Sequence, residues 1–288
     1  PNGKRQEYDW RAYWKLIREL APDAAITVRG PDVRWCGNEA GYTRHSEWSV
    51  IPMPGDDKPW EDSDKTLSGY LRDIYGDDLG SRDVLMRHRQ DSAVLRWYPS
   101  QVNTSIRPGW FYHTGEDNQV RSLEDMLRVY YGSVGGNGQF LLNIPPDRRG
   151  LFHENDVARL KQIGDILKAT FAQNLAAGAR LTAEVDAGEL VGDVAALLDD
   201  DPDTFLTTTD RPASATVTAD FDAPVRANCL MLQEHIASGQ RVEAFDVQVL
   251  VDGQWRDAAT STVIGYKRLV RFPDASFLGV RVRLTQFR

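Results

Sequence analysis

GPDVRWCGNEAGYTRHSEWS, residues 30–49, follows a short run of β-branched residues, Ile26, Thr27 and Val28, and reads as a strand emptying into a polar loop. A strand that exits into Gly, Asp, Trp and Asn delivers its polar groups at the carboxyl end of a parallel sheet, where α/β folds hold their chemistry. Glu39 stands in that loop between Trp35 and Trp48 and is the candidate general acid. Glu47 shares the loop, and sequence alone leaves open which of the two carboxylates faces inward. Arg34 reads either as a donor to a bound ligand or as the ion-pair partner of Asp32.

Around this loop, helix and strand signals alternate. Tyr13, Trp14, Ile17 and Leu20 repeat at helical spacing behind the capping residue Asp9, which predicts a helix over 10–20 that Pro22 ends. Ile26–Arg29, Ala93–Trp97 and Gln139–Ile144 read as buried strands, with helices predicted near 122–131 and 154–174. Strands alternating with helices imply parallel β/α units. Three parallel strands alone leave an unprotected edge. Residues 1–174 are therefore predicted to form the second half of a (β/α)8-like barrel, its first strands lying upstream of Pro1. A polar segment from Pro52 to Asp91, carrying Trp60 and Tyr70, is too long for an ordinary connector and reads as a lid or binding loop.

After Asn174 the composition shifts to Ala and Gly, then to an acidic run at Asp199–Asp203 and to short alternating strands. Residues 179–288 are predicted to be an antiparallel β-sandwich, with strands at 215–221, 228–233, 244–251, 262–266, 268–272 and 280–286. The acidic run reads as a solvated turn, with calcium as the alternative. Trp255 and Tyr266 read as sandwich core, as the seam with the first domain, or as a sugar-binding face.

The bulk numbers exclude several partners. A net charge of -8 and a pI near 5.2 oppose a nucleic-acid partner, which would need a basic face. No stretch is long and apolar enough to span a bilayer. His45, His88, His113, His153 and His235 form no HxxxH or HExxH pattern, so neither a catalytic metal nor another cofactor is expected. Cys36 and Cys229 fall in different predicted domains and imply no disulfide. The glycine-rich stretch GSVGGNGQFLLNIPPDRRG (132–150) lacks GxxxxGK[ST] and precedes a strand, so it is not a phosphate loop.

PNGKRQEYDW (1–10), the 30–49 loop, SIRPGWFYH (105–113) and LLNIPP (141–146) together closely resemble the α-L-fucosidases of glycoside hydrolase family 29, best the branch that cleaves α-1,3 and α-1,4 linkages in Lewis-type glycans. The resemblance implies a retaining hydrolase acting on fucosylated oligosaccharides, with Glu39 as acid/base; Trp35, Trp48 and a neighbouring negative nucleophile would favour its neutral acid. It places the nucleophilic Asp upstream of Pro1, so residues 1–288 are expected to be inactive alone. Trp110, and similarly Trp35, would stack on the apolar face of fucose; Arg34, Arg107 and His113 would reach its hydroxyls or the nucleophile. Asn143 would lie near the barrel mouth, and the 52–91 segment would recognise a branched galactose. LQEHIASGQRVEAF (232–245) and IGYKR (264–268) resemble the discoidin-like sandwich of such enzymes. Gln101 departs from the family's usual Glu and cannot carry charge. A secreted or periplasmic location is implied. The other readings are a non-catalytic carbohydrate-binding or scaffold remnant and a related exo-glycosidase such as a galactosidase.

Overall fold

The computed structural model describes residues 8–28, 30–54, 78, 80–88, 93–210 and 212–287. Helix α1 spans Trp10–Leu20 and starts where the Asp9 side chain accepts from the Ala12 amide at 3.0 Å. That bond satisfies one of the donors a helix start leaves unpaired. Yet α1 buries none of its residues, and Tyr13, Leu16 and Leu20 are exposed. Trp14 and Ile17, between them on the helix, are half-buried.

Strands β1 (Thr27–Val28) and β2 (Val33–Trp35) are followed by β3 (Val50–Pro54), helix α2 (Arg82–His88), β4 (Ala93–Trp97) and β5 (Ser100–Ser105). Helix α3 (Leu123–Ser133), β6 (Gln139–Asn143) and helix α4 (Glu154–Thr170) complete the first part. A four-stranded sheet runs in the order β1-β2-β5-β6, every pair parallel. Of the expected strand at 26–29, Thr27–Val28 forms β1, and Arg29 lies outside the described residues. The expected strand at 93–97 does form, but it pairs antiparallel with β3 in a separate hairpin. Its place in the parallel sheet is taken by β5, whose sequence SQVNTS is too polar to announce a buried strand. Trp60, Tyr70 and residues 1–7 lie outside the described residues.

The two faces of the parallel sheet differ. Val102 and Phe140 are cross-strand partners and pack with Cys36 against Val129 of α3. Because side chains alternate along a strand, Trp35, Gln101, Asn103, Ser105, Gln139, Leu141 and Asn143 share the opposite face. There Trp35 Nε1 donates to Asn103 Oδ1 at 2.8 Å, Gln101 Nε2 to Gln139 Oε1 at 3.2 Å and Asn143 Nδ2 to Ser105 Oγ at 3.0 Å. Leu141 on this face is 50% exposed. The sheet thus has one packed apolar face and one polar face that is open at Gln139 and Leu141 and closed at Gln101 and Ser105.

The remaining strands are β7 (Arg180–Val185), β8 (Leu190–Val191), β9 (Thr207–Thr208), β10 (Ala215–Leu232), β11 (Val242–Val251), β12 (Gln254–Ser261) and β13 (Arg268–Phe287). They form a five-stranded antiparallel sheet, β12-β11-β13-β10-β7, and a small β8-β9 pair. The pairs expected at 215–221 and 228–233, and at 268–272 and 280–286, are single long strands. β10 changes register against β13 between Asp220 and Val225 and again between Ala227 and Cys229; such irregularities bend a strand without ending it. The bend brings Val270 and Phe272 into one core with Phe245, Val247, Val249, Val280 and Val282. Residues 262–266 form a loop, and β12 was hidden by its charged sequence QWRDAATS.

The two parts lock together through residues 45–49 and 133–138. Leu269 N donates to Gly135 O at 2.8 Å, Asn137 N to Lys267 O at 3.0 Å and Tyr266 N to Asn137 Oδ1 at 2.7 Å. Gly265 sits at φ 66°, where a Cβ would come within 2.5 Å of the Asn137 side chain. Gly265→Ala is therefore expected to destabilise the protein by about 2 kcal/mol, combining backbone strain with a clash at a fixed side chain. A thermal melt reads this as a fall of several degrees; an unchanged midpoint contradicts the seam as described.

Candidate active site

The carboxyl ends of β2, β5 and β6 converge. The loop after β2 is shaped by Asn38, whose Oδ1 accepts from Ala40 N at 3.1 Å and Tyr42 N at 3.0 Å while its Nδ2 donates to Tyr42 O at 2.9 Å. An asparagine that bonds the backbone two residues on makes a compact turn of this kind. Gly41 completes it at φ 78°, seated so that a Cβ would lie 2.9 Å from Val129. Arg121 then ties the loop to β5, with Nη2 donating to Ala40 O at 3.2 Å and Nη1 to Thr104 Oγ1 at 2.6 Å. Arg128 adds a bond to Gly41 O at 3.4 Å.

Glu39 lies at the crest of this turn and is exposed. Its Oε2 accepts from Trp110 Nε1 at 3.0 Å. Trp110 comes from the loop after β5, and its carbonyl accepts from Asn143 Nδ2 at 3.1 Å at the end of β6. Three consecutive strand ends are thus joined by side chains: Glu39 to Trp110, Trp110 to Asn143, Asn143 to Ser105. A carboxyl group held against an indole, above a wall of amides and hydroxyls, can offer a proton, a flat apolar surface and several hydrogen bonds to one small polar molecule.

Glu47 has a different environment. It is 3% exposed, bonded through Oε1 to Arg34 Nη2 and through Oε2 to Arg44 Nη1 at 3.0 Å. Both oxygens are engaged by guanidinium groups, so this carboxylate is structural.

Arg34 is buried as well. Its Nε donates to Tyr98 O at 2.9 Å and its Nη2 to Trp48 O at 3.0 Å; Asp32 pairs instead with Arg18. The expected role of Arg34 as a ligand donor does not match this enclosure.

Arg107 is also enclosed. Its Nε lies 2.9 Å from Asp156 Oδ2, its Nη1 3.0 Å from Asp117 Oδ1, and its guanidinium covers the Tyr112 ring. Two carboxylates hold its Nε and Nη1 in place, so the structure makes it a brace under the Trp110 loop. Trp35 is half-buried on the open sheet face, committed to Asn103. His113 is exposed, and its carbonyl accepts from Glu116 N at 3.0 Å at the start of a short 3-10 turn. Trp48 is 1% exposed and belongs to the core.

Sequence reading missed Arg44, Arg121, Asn103 and Asn137. Loop arginines and strand asparagines carry no periodic signal, and only the tertiary structure shows what they bond. In the second part, Asp199 accepts from Asp201 N at 3.0 Å and Thr204 Oγ1 at 2.7 Å, while Asp201 accepts from Asp203 N at 2.9 Å. These carboxylates fold their own turn. Among the described residues no group of three His, Cys, Asp or Glu side chains is placed to hold a metal, and no helix is long and apolar enough to cross a membrane.

With a polar lumen-like sheet face and an acid beside an aromatic at the strand ends, the class of protein that fits is a glycoside hydrolase. The family model for α-L-fucosidase matches residues 72–170. A protein of Oryza sativa subsp. japonica assigned as α-L-fucosidase 1 is 34% identical over 289 residues, covering 97% of this chain and 51% of its own length. The α-L-fucosidase 1 of Arabidopsis thaliana is 31% identical over 282 residues, covering 93% and 50%. A solved structure from Bacteroides ovatus assigned as an α-L-fucosidase superposes with a TM-score of 0.77 at 38% identity, over 100% of this chain and 44% of that one. The chain is thus similar over nearly its whole length to α-L-fucosidases, and spans about half the length of the curated relatives it matches.

The brace under Trp110 carries a pH signature. Burial pushes the Asp117 carboxyl up, but hydrogen bonds from Arg107 and Tyr112 outweigh it, and the group lies below its ordinary value. A depressed carboxylate contributes stability that is present above the unfolded-state value and is lost as pH falls through the folded one. Asp117→Asn should therefore flatten the loss of stability as pH falls below the ordinary carboxylate range near about pH 4. Melting curves across that range check it; unchanged acid sensitivity contradicts the brace.

Proposed function

We propose that this chain supplies the acid/base half of a retaining exo-α-L-fucosidase acting on α-1,3- and α-1,4-linked L-fucose in branched oligosaccharides. The observation that carries the reading is the Glu39 carboxylate hydrogen-bonded to Trp110 at the carboxyl ends of three parallel strands. Retention requires two carboxyl groups about 5–5.5 Å apart, one attacking the anomeric carbon and one protonating the leaving oxygen. Glu39 is assigned the second role. It gives its proton to the departing sugar, then takes one from the water that releases fucose. Glu47 is unsuited, because both of its oxygens are held by arginines.

The first role belongs to an aspartate in the portion of the relatives that this chain does not span. The exposure of Leu141 on the polar face of the parallel sheet and of Tyr13, Leu16 and Leu20 on α1 supports the proposal that the first barrel strands cover them, since parallel sheets are normally buried on both faces. In this arrangement residues 1–174 are the later half of a (β/α)8-like barrel and residues 179–288 a discoidin-like sandwich. Trp110 and Trp35 would lie along the apolar side of the sugar, with Asn103 and Asn143 on its hydroxyls. A Ruminococcus gnavus fucosidase of the same fold, crystallised with fucose, superposes with a TM-score of 0.76.

Two measurements test this. Residues 1–288 alone are expected to release no phenol from an aryl α-L-fucoside, and measurable turnover would overturn the division of roles. In the full-length gene product, Glu39→Gln should lower kcat/KM on a poor leaving group by about 100-fold or more, the range of general acid catalysis. An aryl β-galactoside should remain uncleaved throughout; its hydrolysis would point to a different exo-glycosidase.

A further inference from the structure

Segment 45–49 lies between the two halves of the molecule, and side chains outside the first sheet hold its backbone. Gln240 Oε1 accepts from Ser49 N at 3.0 Å, and Gln240 Nε2 donates to Glu47 O at 3.3 Å. Asn137 Nδ2 donates to the same carbonyl at 3.0 Å. The Arg268 guanidinium donates to His45 O at 3.2 Å, and Thr262 bonds Ser46 Oγ at 2.9 Å. Gln240 is buried at 4% exposure and Asn137 at 5%.

From this segment a continuous run of bonds reaches the acid. The Glu47 side chain engages Arg44, and Arg44 Nη2 donates to Cys36 O at 3.0 Å. Cys36 begins the Asn38 turn that carries Glu39. The second part of the molecule is therefore joined to the proton donor through four steps: Gln240, the Glu47 backbone and carboxylate, Arg44, and the Cys36 carbonyl.

We propose that Gln240 is a positioning residue for the reaction, and that the β-sandwich aims the Glu39 loop in addition to any ligand it holds itself. This rests on the reading of Glu39 as the acid. A loop anchored only at its strand leaves its crest free to shift, and a displacement near 1 Å at a catalytic group is costly. Here Arg44 fixes the loop's entrance, and Glu47 fixes Arg44. The orientation of Glu47 depends in turn on a backbone whose carbonyl is shared between Asn137 and Gln240.

The test uses the dependence of rate on leaving group. In a retaining glycosidase kcat/KM reports the first chemical step, and protonation matters there in proportion to how poor the leaving group is. The full-length gene product, Glu39→Gln, Gln240→Met and Asn137→Asp are assayed on phenyl and dinitrophenyl α-L-fucosides, with melting temperatures taken in parallel. Gln240→Met removes both bonds at similar side-chain length. Asn137→Asp keeps the acceptor for Tyr266 N and removes the donor to Glu47 O, and it serves if Gln240→Met fails to fold.

The expected result is a loss of roughly tenfold on the phenyl substrate and under twofold on the dinitrophenyl substrate, in line with coupling through a packed network. Equal losses on both substrates, or no loss, overturn the positioning role while Glu39→Gln retains its asymmetry. If Glu39→Gln itself shows none, the acid assignment falls, and the positioning role falls with it.

Discussion

The buried carboxylate of Glu47, gripped by Arg34 on one oxygen and Arg44 on the other, ties three parts of this molecule to one another. Arg34 is part of β2 and reaches back to the carbonyls of Tyr98 and Trp48, so the carboxylate ties the parallel sheet to the hairpin beside it. Arg44 belongs to the loop after β2. Removing one partner from a buried ion pair typically costs about 3–5 kcal/mol, because the charge left behind has lost its water without compensation. Three charges share this site with an excess of one positive charge, which the carbonyls of Tyr98, Trp48 and Cys36 partly neutralise. Sheet, loop and hairpin therefore depend on the same few atoms.

A second buried ionic cluster supports the neighbouring loop. Arg107 bridges Asp156 at the first turn of α4 and Asp117 near the 3-10 turn, with the Tyr112 ring beneath it. His153 caps α4 through Nδ1, which leaves its Nε2 facing Asp117 at 3.5 Å. The Trp110 loop is thus pinned at both ends, by Asn143 at the strand and by Arg107 at the helix. Both loops that meet at Glu39 are long and polar, and both owe their shape to charge pairs below them.

Glu39 and Trp110 stand out in the sequence through the resemblance that GNE and RPGWFYH carry, since a lone loop glutamate otherwise reads as a solvated charge; the fold brings the two side chains into one hydrogen bond. The helices at 10–20, 122–131 and 154–174 were legible through capping and period. β5 is not: SQVNTS is polar along nearly its whole length, so it lacks the apolar run by which buried strands are recognised. Ala93–Trp97, with that run, became a hairpin arm instead. The long bent strands β10 and β13 read as pairs of short ones, because a change of register interrupts alternation in the same way as a turn. The enclosure of Arg34 and Arg107 is not legible in the sequence for a related reason. A buried arginine and a ligand-binding arginine look identical in sequence, and only the carboxylates brought near them by folding separate the two.

The polar wall of the parallel sheet has one more implication. Its amides and hydroxyls already answer one another, Trp35 with Asn103, Gln101 with Gln139, Asn143 with Ser105. Each pair holds its two side chains in fixed rotamers, but the match is incomplete: the buried Gln101 Oε1 accepts from none of the described residues. An orphaned acceptor in an otherwise matched wall is a point at which a donor arriving from outside the sheet, water or hydroxyl, gains a bond without breaking another.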